Sequence, residues 1–383
     1  MAKNNMPHLV ISTCGTSILT CGVDSRLRGL LTRWANSKRR EDILLDSERK
    51  TIEEHLECRR SLIKEFIQEN NITELTKYSA ELNGVASYYD GGRFPNRKDH
   101  HILICTDTWL GEESAKLVEL FLTWKSFTTQ VHRITDLTTG DLSSFRIALS
   151  SLVRWCDQTL RYYSQSSYRI IFNLTGGFKS VQGFMQTLAM LYADESIYIF
   201  EGSKELLRLP RLPIRMDAEE IVRNHLRAFR RLAEALPTTP EEIHDIDALF
   251  LFRIDDDTVL SEWGELVWVH TKPILYKEKI FDPPSKFIRY GTEFFRSVED
   301  LSGERKKIIN ERIDALSKQL EYEAKGDTHS RLASTDLKKL KNPDRFTHEV
   351  DAWADGGAKR LFCNFEDSQK HRVLIIEELG KHL

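Results

Sequence analysis

The sequence predicts an α/β fold over its first two hundred residues, and three observations lead to that prediction. Short apolar stretches alternate with longer amphipathic stretches along this part of the chain. Two of the apolar stretches end abruptly in glycine, hydroxyl and amide residues. Neither internal repeats nor low-complexity segments interrupt the alternation. Because parallel strands are joined by crossover helices, the pattern predicts a Rossmann-like parallel sheet with helices on both faces.

Each element is predicted from a run of residues with one dominant periodicity. Short apolar runs are predicted as strands: His8–Ile11, Ile102–Cys105, Val131–Ile134, Tyr168–Phe172 and Ser196–Phe200. Longer runs with apolar residues every three or four positions are predicted as helices: Glu48–Glu69, Glu112–Trp124, Leu142–Tyr162 and Val181–Tyr192. The predicted α/β domain spans residues 1–216.

A change of pattern predicts a small connector over residues 217–284. Pro210 and Pro213 are expected to form a semi-extended exit from the first domain. Asp217 is expected to cap a charged helix over residues 218–236. The connector as a whole is predicted to be mostly helical, a description that also fits a winged-helix domain.

The last hundred residues are predicted to form an α+β domain over residues 285–383. Two consecutive prolines in FDPPS (281–285) mark its beginning, because neither helix nor sheet interiors accept them. The predicted elements are a strand, two helices and three further strands: 287–290, 296–301, 304–321, 346–353, 360–365 and 373–378. Helices followed by consecutive strands indicate an antiparallel sheet.

Composition limits the classes of function. The chain has 55 Lys and Arg against 58 Asp and Glu, which gives a formal net charge of -3. This balance argues against nucleic-acid binding by the surface of the whole chain, but a local basic patch could still bind nucleic acid. No apolar run approaches a membrane span, and the start lacks a secretory signal, so we expect a cytoplasmic protein without a membrane partner. Six scattered cysteines without a C-x-x-C pair make a disulfide or metal framework unexpected.

Two polar segments mark a candidate binding site. LVISTCGTSIL contains the end of the first predicted strand, and IIFNLTGGFKS contains the end of the fourth. In open parallel sheets, ligands bind beyond the carboxyl ends of strands, where glycines allow close approach and hydroxyls and Lys179 can meet phosphates. Phe178 stands where a Walker A loop requires glycine, and G-x-G-x-x-G is absent. Ordinary strand-to-helix turns explain each segment equally well when it is taken singly.

Taken together, the segments resemble the CARF domains of CRISPR-associated effectors over about residues 6–216. The resemblance is carried by STCGTSIL, YSAELNGV, CTDTWLGEESA, NLTGGFKS and YIFEGSKELLRLPRLPI in that order. It implies a homodimer that binds cyclic oligoadenylate, with cyclic tetra-adenylate as the expected activator and no cofactor. The implied ligand residues are Thr13, Gly15, Thr16, Ser17, Asp107, Thr108, Thr175, Gly176, Gly177 and Lys179. Asp107 fits a cap of the following helix better than a place in the site, and Glu81 fits either the site or an exposed helix position.

The C-terminal domain resembles the RelE superfamily of toxins. Known alternatives fit poorly: RRLAEALPTTPEEIH spaces Arg and His too widely for an R-x4–6-H motif, RFTH spaces them too closely, and EVDAW lacks the lysine of an E/D-x-K strand motif. The resemblance rests on the element order and on LKKLKNPDRFTHEVDAWADGGAKRLFCNF and VLIIEELGKHL. It implies an mRNA interferase that cleaves without a metal, with the ribosome as an expected partner.

The RelE resemblance also implies the catalytic residues. Arg360 matches the family's strand arginine and is expected to bind phosphate, and His348 is expected to act as acid or base. The expected catalytic set is Arg360, His348, Lys341, Lys381 and His382, and the expected RNA-binding set is Lys338, Lys339 and Arg345. Arg360 could instead pair with a neighbouring acid, and His348 could be a hydrogen-bonded structural histidine.

Two other functions stay open at this level. The first domain could degrade its own ring ligand as a ring nuclease. Alternatively, the connector could bind DNA as part of a ligand-responsive regulator, although its acidic EEIHDIDALFLFRIDDDT segment would repel phosphates.

Overall fold

A computed structural model describes residues 6–94, 98–200, 205–213, 217–255, 257–326, 335–367 and 372–381. The chain divides into two compact units, residues 1–215 and 216–383. The second unit contains both the predicted connector and the predicted C-terminal domain.

The first unit is built on a six-stranded sheet. Its strands are β1 (His8–Thr13), β2 (His100–Cys105), β3 (Thr128–Arg133), β4 (Arg169–Asn173), β5 (Glu195–Ile199) and β6 (Leu206–Pro210). They lie in the order β3-β2-β1-β4-β5-β6, and all neighbouring pairs are parallel except β5 and β6. The predicted α/β architecture with a mainly parallel sheet is therefore confirmed.

Helices cover this sheet because each presents an apolar stripe to it. They are α1 (Ser17–Thr20), α2 (Ser25–Arg33), α3 (Asp46–Gln68), α4 (Ile72–Tyr78), α5 (Ala80–Tyr88), α6 (Trp109–Trp124), α7 (Leu142–Gln165) and α8 (Lys179–Tyr192). The central strand β1 is apolar on both faces, and Leu9, Val10 and Ile11 are fully buried. Burial on both faces explains why its sequence is continuously apolar rather than alternating.

The proline-containing segment after β5 differs from its prediction. Residues 206–210 pair with β5 as an antiparallel edge strand instead of forming a semi-extended exit. Pro210 ends that strand opposite Glu195, at the sheet's edge, where the missing N–H of proline is tolerated.

The second unit begins with short helices and a hairpin. These elements are α9 (Glu219–Asn224), α10 (Leu226–Ala233), α11 (Pro240–Ile243), β7 (Leu251–Ile254), β8 (Asp257–Leu260) and α12 (Glu262–Glu278). The predicted helix over 218–236 is wrong as a single element, because the backbone leaves the helical region at His225. Asp217 does not cap it either, since Ala218 holds the N-cap position and makes no side-chain cap.

The remainder of the second unit is an α+β arrangement. Its elements are β9 (Ile288–Tyr290), α13 (Phe294–Val298), α14 (Gly303–Ala324), β10 (Lys338–Lys339), β11 (His348–Trp353), β12 (Lys359–Asp367) and β13 (Arg372–Lys381). The strands lie in the order β10-β11-β12-β13-β9, antiparallel except for the β13–β9 pair. Helix α14 packs on one face of the sheet, with Ile313 and Leu316 against Val350 and Leu361 in one hydrophobic core.

Buried ion pairs join the two parts of this unit. The Nε atom of Arg230 on α10 donates to Asp314 on α14 at 2.7 Å, and the Tyr276 hydroxyl donates to the same carboxylate. Arg231 reaches both carboxylate oxygens of Glu321, seven residues further along α14, at 2.7 and 3.1 Å. Helix α10 is thus held to two successive points of α14.

Candidate functional site

The topology brings two polar segments together in the first unit. After β3 the chain crosses back to place β4 on the other side of β1, so the order reverses between β1 and β4. Ligands of open α/β sheets bind at such a switch point, beyond the carboxyl ends of the strands. The residues after β1 and β4, joined by the start of α5, form what we call the loop cluster: residues 13–17, 79–81 and 173–179.

A buried carboxylate organises the loop cluster. Glu81 is 1% exposed, and its Oε1 accepts a hydrogen bond from the Gly15 amide at 2.8 Å. Its Oε2 accepts from the hydroxyls of Ser17 at 2.9 Å and Ser79 at 2.8 Å. The Ser17 hydroxyl also accepts from the Ala80 amide at 3.1 Å. Three donors therefore offset the cost of burying this charge.

Glycines let the two loops touch. A Cβ on Gly176 would lie 2.2 Å from Glu81 Oε1, and one on Gly15 would lie 3.2 Å from Gly177. Gly177 has a φ of +105°, a conformation that side chains disfavour. The Thr13 hydroxyl donates to the Gly176 carbonyl at 2.6 Å, which ties the end of β1 to the loop after β4.

An amide side chain holds the end of β4. Asn173 is buried, and its Nδ2 donates to Ser12 Oγ at 3.1 Å and to the Glu81 carbonyl at 3.0 Å. Its Oδ1 accepts from the Thr175 amide at 3.3 Å. The Thr175 hydroxyl is buried and has no hydrogen-bond partner among the described residues. The polar end of this strand is thus used largely to build the cluster itself.

Lys179 is the cation that the loop cluster exposes. It is the first residue of α8, it is solvent-exposed, and it makes no ion pair with a residue that the structure describes. A helix N-terminus and an unpaired cation both favour an anion at this point.

The predicted residues of the first unit fall into two groups. The structure brings seven of them together with Lys179 in the loop cluster: Thr13, Gly15, Thr16, Ser17, Thr175, Gly176 and Gly177. Asp107 and Thr108 instead follow β2 and serve the fold. Thr108, not Asp107, caps α6, because its hydroxyl accepts from the Gly111 amide at 3.1 Å.

Asp107 is occupied by an ion-pair network. Its carboxylate contacts Arg133 at 2.8 Å and Lys38 at 3.2 Å, and it accepts from the Asp136 amide at 3.0 Å. Burial raises the pKa of Asp107, but the hydrogen bonds from the Asp136 amide, Arg133 and Lys38 outweigh it and hold the pKa below its ordinary value.

The second unit contains a groove between α14 and one end of the sheet. This cavity has a volume of about 550 Å³, and we call it the basic groove. Its principal lining residues are Gln319, Glu323, Lys339, His348, Phe365 and Arg372. Of the residues that line the groove, sequence reasoning found Lys338, Lys339 and His348 and missed Gln319, Glu323, Phe365 and Arg372. Period-two alternation along β12, which places Phe365 on the same face as Leu361 and Cys363, is the signal that could have identified Phe365.

His348 stands between two cations in the basic groove. It lies directly opposite Lys339 in the β10–β11 register, and its ring packs edge-on against Phe365 with centroids 4.8 Å apart. The Arg372 guanidinium lies 4.0 Å above that Phe365 ring. The Nδ1 atom of His348 and the Thr347 hydroxyl form a hydrogen bond of 2.8 Å. Burial, and then the charges of Arg372 and Lys339, lower the pKa of His348.

The basic groove has more positive than negative charges once its carboxylates are counted. Asp336 pairs with Lys338, and Glu323 accepts a hydrogen bond from Gln319 at 2.8 Å. Arg372 approaches Asp367 only at 3.8 Å, with both side chains largely exposed. Lys339 has no ion pair among the residues that the structure describes. Glu323 keeps its negative charge, because the Gln319 amide that donates to it is neutral, so Lys339 and Arg372 leave the groove with an excess of one positive charge beside the His348 ring.

Arg360 lies on the opposite face of the sheet from His348. Its Nη1 contacts Glu349 at 2.5 Å and Asp351 at 3.0 Å. Successive side chains of a strand point to opposite faces. Since Glu349 and Asp351 alternate with His348 and Val350 along β11, and Val350 faces α14, Arg360 and His348 lie on opposite faces of the sheet. The structure thus shows the ion-paired arrangement that the sequence left open for Arg360.

The other predicted basic residues are dispersed. Arg345 pairs with Glu378 at 3.2 Å, and Lys341 is exposed in the turn between β10 and β11. Lys381 is opposite Lys359 on β12, whereas His348 is opposite Cys363. Because Lys359 and Cys363 are four residues apart on the strand, Lys381 and His348 are separated by about 13 Å along the sheet. His382 lies outside the described residues. Among the residues that are described, no cluster of three or more His, Cys, Asp or Glu side chains could hold a metal ion.

Comparison with known proteins identifies a similarity in the first unit. Residues 76–212 match the sequence model of a family described as CRISPR-associated protein (Cas_APE2256). The matched segment is roughly a third of the chain and contains Glu81 and the loop after β4. No curated protein matches the chain. Within the described part of the chain, no helix is long and apolar enough to cross a membrane.

The similarity supports a CRISPR-associated role. The matched segment ends before residue 217, so the similarity concerns the first unit only. The function of the second unit has to be inferred from its own residues.

Proposed function

We propose that this protein is an ancillary effector of type III CRISPR defence, a sensor joined to a ribonuclease. Cyclic oligoadenylate, with cyclic tetra-adenylate as the expected ring, binds to the loop clusters of a homodimer. Binding activates cleavage of mRNA in the basic groove of the second unit. The proposed nuclease acts in the cytoplasm, needs no metal, and takes its substrate on the ribosome, as the RelE resemblance implies.

Support for the sensor comes from the first unit. Its segment 76–212 is similar to a CRISPR-associated family, and the loop cluster lies at the switch point of the sheet. Lys179 offers a cation next to the N-terminus of α8, a combination that suits a phosphate. A ring with two-fold symmetry matches an isologous dimer, in which each copy presents the same residues.

The observation that carries the nuclease is the position of His348 between Lys339 and Arg372. Neutral imidazole can accept the proton of an RNA 2′-hydroxyl, whose oxygen then attacks the adjacent phosphorus. The bond to the 5′-oxygen breaks, and the proton returns to that leaving oxygen. Lys339 and Arg372 stabilise the negative charge that builds up on the phosphate. The products are a 2′,3′-cyclic phosphate and a 5′-hydroxyl.

Arg360 has no part in this chemistry. Its two carboxylate partners occupy its guanidinium on the other face of the sheet. The revised catalytic set is therefore His348, Lys339 and Arg372, with Lys338 at the rim of the groove.

The test is cleavage of a defined mRNA by the purified protein, with and without translating ribosomes, with cyclic tetra- or hexa-adenylate added in turn. We expect cutting only when one ring is present, and a loss of at least about 100-fold for His348→Ala, as is usual when a general base is removed. His244→Ala, which removes an exposed histidine from outside the groove, is the matched control and should cut normally.

Sensor and nuclease are separated by a second pair of variants. Lys179→Ala should weaken ring binding and abolish activation, whereas His348→Ala should bind the ring normally. Lys50→Ala, on the exposed surface of α3, is the control for removal of a positive charge from the first unit. Normal cutting by His348→Ala would reject the proposed groove. Consumption of the ring without RNA cleavage would move the chemistry to the loop cluster.

A further inference from the structure

A second basic cleft lies in the second unit. Its volume is about 440 Å³, and we call it the second cleft. The charged and aromatic residues that line it are Arg227, Arg231, Glu242, Lys286, Phe287, Glu321 and Lys325. Arg227 and Arg231 come from α10, whereas Lys325 follows α14 and Lys286 precedes β9. None of these residues belongs to the basic groove or to the sets predicted from the sequence.

The second cleft borders the basic groove. Both cavities flank the last turn of α14, since Glu323 lines the basic groove and Ala324 and Lys325 line the second cleft. The start of β13 makes the same connection, because the Leu374 amide, two residues after Arg372, donates to the Phe287 carbonyl at 2.8 Å. Phe287 lines the second cleft and Arg372 lines the basic groove.

Charge in the second cleft is positive after its ion pairs are counted. Glu321 also lines the cleft, but both of its carboxylate oxygens are taken by Arg231. Glu242 accepts from the Thr239 amide at 3.0 Å and forms an ion pair with Arg227 at 3.5 Å. Lys286 and Lys325 are exposed and form no ion pair with any residue in the described ranges. Lys286 and Lys325 are therefore the two cations of the cleft that no carboxylate of the described residues neutralises.

Phe287 adds an aromatic wall to the second cleft, with the Lys286 ammonium 5.4 Å from its ring centroid. In the basic groove the aromatic wall is Phe365, with Arg372 above it. Cations alternating with aromatic rings are the common composition of surfaces that bind single-stranded nucleic acid, because cations follow the backbone and rings stack with bases.

We infer that the second cleft is an RNA-binding site that continues the basic groove. Single-stranded RNA bound for cleavage at His348 runs past Arg372 and Lys286 into the second cleft, where Arg227, Lys286 and Lys325 hold phosphates remote from the cleaved bond. This inference rests on the proposed nuclease and adds to it a substrate longer than the basic groove alone can bind.

The test measures binding of 2′-O-methyl RNA, which cannot be cleaved, by the full chain in the presence of cyclic tetra-adenylate. Oligonucleotides of about 4 and about 12 nucleotides, a short and a long probe on the scale of single-strand binding sites, are compared over a range of salt concentrations. For the triple variant Arg227→Gln, Lys286→Gln, Lys325→Gln we expect weaker binding of the long probe and unchanged binding of the short one. The slope of log affinity against log salt should fall by about 0.7 for each phosphate that no longer meets a cation.

A control variant removes equal charge elsewhere in the same unit. Arg253→Gln, Lys277→Gln, Arg296→Gln changes three exposed cations outside both cavities and should leave the slope for the long probe unchanged. The proposed role of the second cleft would be wrong if the triple variant left the salt-dependence slope for the long probe unchanged. It would also be wrong if affinity fell equally for both probe lengths. His348→Ala keeps the two proposals apart: if it cuts normally while the test variant binds the long probe more weakly, the groove is wrong and the cleft stands.

Discussion

The carboxylate of Glu81 fills the space beside Gly176 in which a Cβ would stand. The distance from that position to Glu81 Oε1 is 2.2 Å, and the carboxylate is fixed there by the Gly15 amide and by the hydroxyls of Ser17 and Ser79. Glycine at 176 is therefore required by a buried charge from another element, and the close approach of the two loops depends on it.

Substitution of Gly176 by alanine should destabilise the first unit. The new methyl group would meet a carboxylate that cannot withdraw without giving up its three hydrogen bonds, and overpacking of this kind costs about 1–3 kcal/mol. Urea unfolding of Gly176→Ala measures the decrease in the free energy of unfolding.

The matched control for Gly176→Ala is Gly183→Ala, in the interior of α8. A Cβ at Gly183 meets nothing within 4 Å. Alanine there should stabilise the protein by roughly 0.5–1 kcal/mol, because glycine is the poorer helix former. Equal changes in the free energy of unfolding for the two substitutions would contradict the close contact between Gly176 and the Glu81 carboxylate.

The parallel sheet was predictable because its central strands β1, β2, β4 and β5 are buried on both faces. A run such as that of β1 or β4 is apolar throughout and ends in polar residues, so both its existence and its functional end are visible in the sequence. Strand β6 was not visible, since its residues are mostly exposed and include Pro210. It is defined by pairing with β5 rather than by a periodicity of its own.

The roles of single residues could not be predicted where their partners are distant in the sequence. Glu81 follows YSA in the chain, yet two of the groups that fix it belong to Gly15 and Ser17, more than sixty residues away. Arg360 and His348 both lie on strands, and only the register of β11 with β12 shows that they occupy opposite faces. Arg372 was missed because no local motif places it beside Phe365.

Arg360 is expected to act on stability rather than on catalysis. In Arg360→Ala, Glu349 would keep a charge that is only 10% exposed and is deprived of its closest partner, which costs about 3 kcal/mol. Chemical denaturation should show this decrease in stability. At a temperature where the variant is still folded, ring-dependent RNA cleavage should stay within a few-fold of the original protein.

A double variant separates the two roles of Arg360. Arg360→Met with Glu349→Gln removes the unpaired charge and should recover part of the stability. If the double variant is folded and binds RNA but cannot cleave it, Arg360 has a catalytic role after all.

The ion pair between Arg230 and Asp314 should be a main contributor to the cohesion of the second unit. Both side chains are almost fully buried, at 2% and 3% exposed. Arg230→Met leaves Asp314 with the Tyr276 hydroxyl as its remaining close donor, and breaking such a pair costs about 3–5 kcal/mol. Thermal unfolding measures the effect. Arg223→Ala, which breaks exposed pairs with Glu219 and Glu278, is the control and should leave the unfolding midpoint nearly unchanged.

The pH dependence of cleavage should report on His348. As a general base His348 acts in its neutral form, so the rate should fall at acid pH with a midpoint below the ordinary histidine pKa of 6.5, because burial and the charges of Arg372 and Lys339 lower the pKa. Removing either cation in Arg372→Gln or Lys339→Gln makes protonation easier. The acid limb should therefore move to higher pH in both variants.

Two measurements check the direction of this shift. Rates of RNA cleavage across a range from acid to neutral pH locate the acid limb, and NMR titration of the His348 ring proton in the same variants gives its pKa directly. Lys341→Gln, which removes an exposed cation from the neighbouring turn, should leave both values in place. If the cation variants shift the ring titration but not the acid limb of the rate, the group that titrates in catalysis is not His348, and the base must be sought elsewhere in the groove.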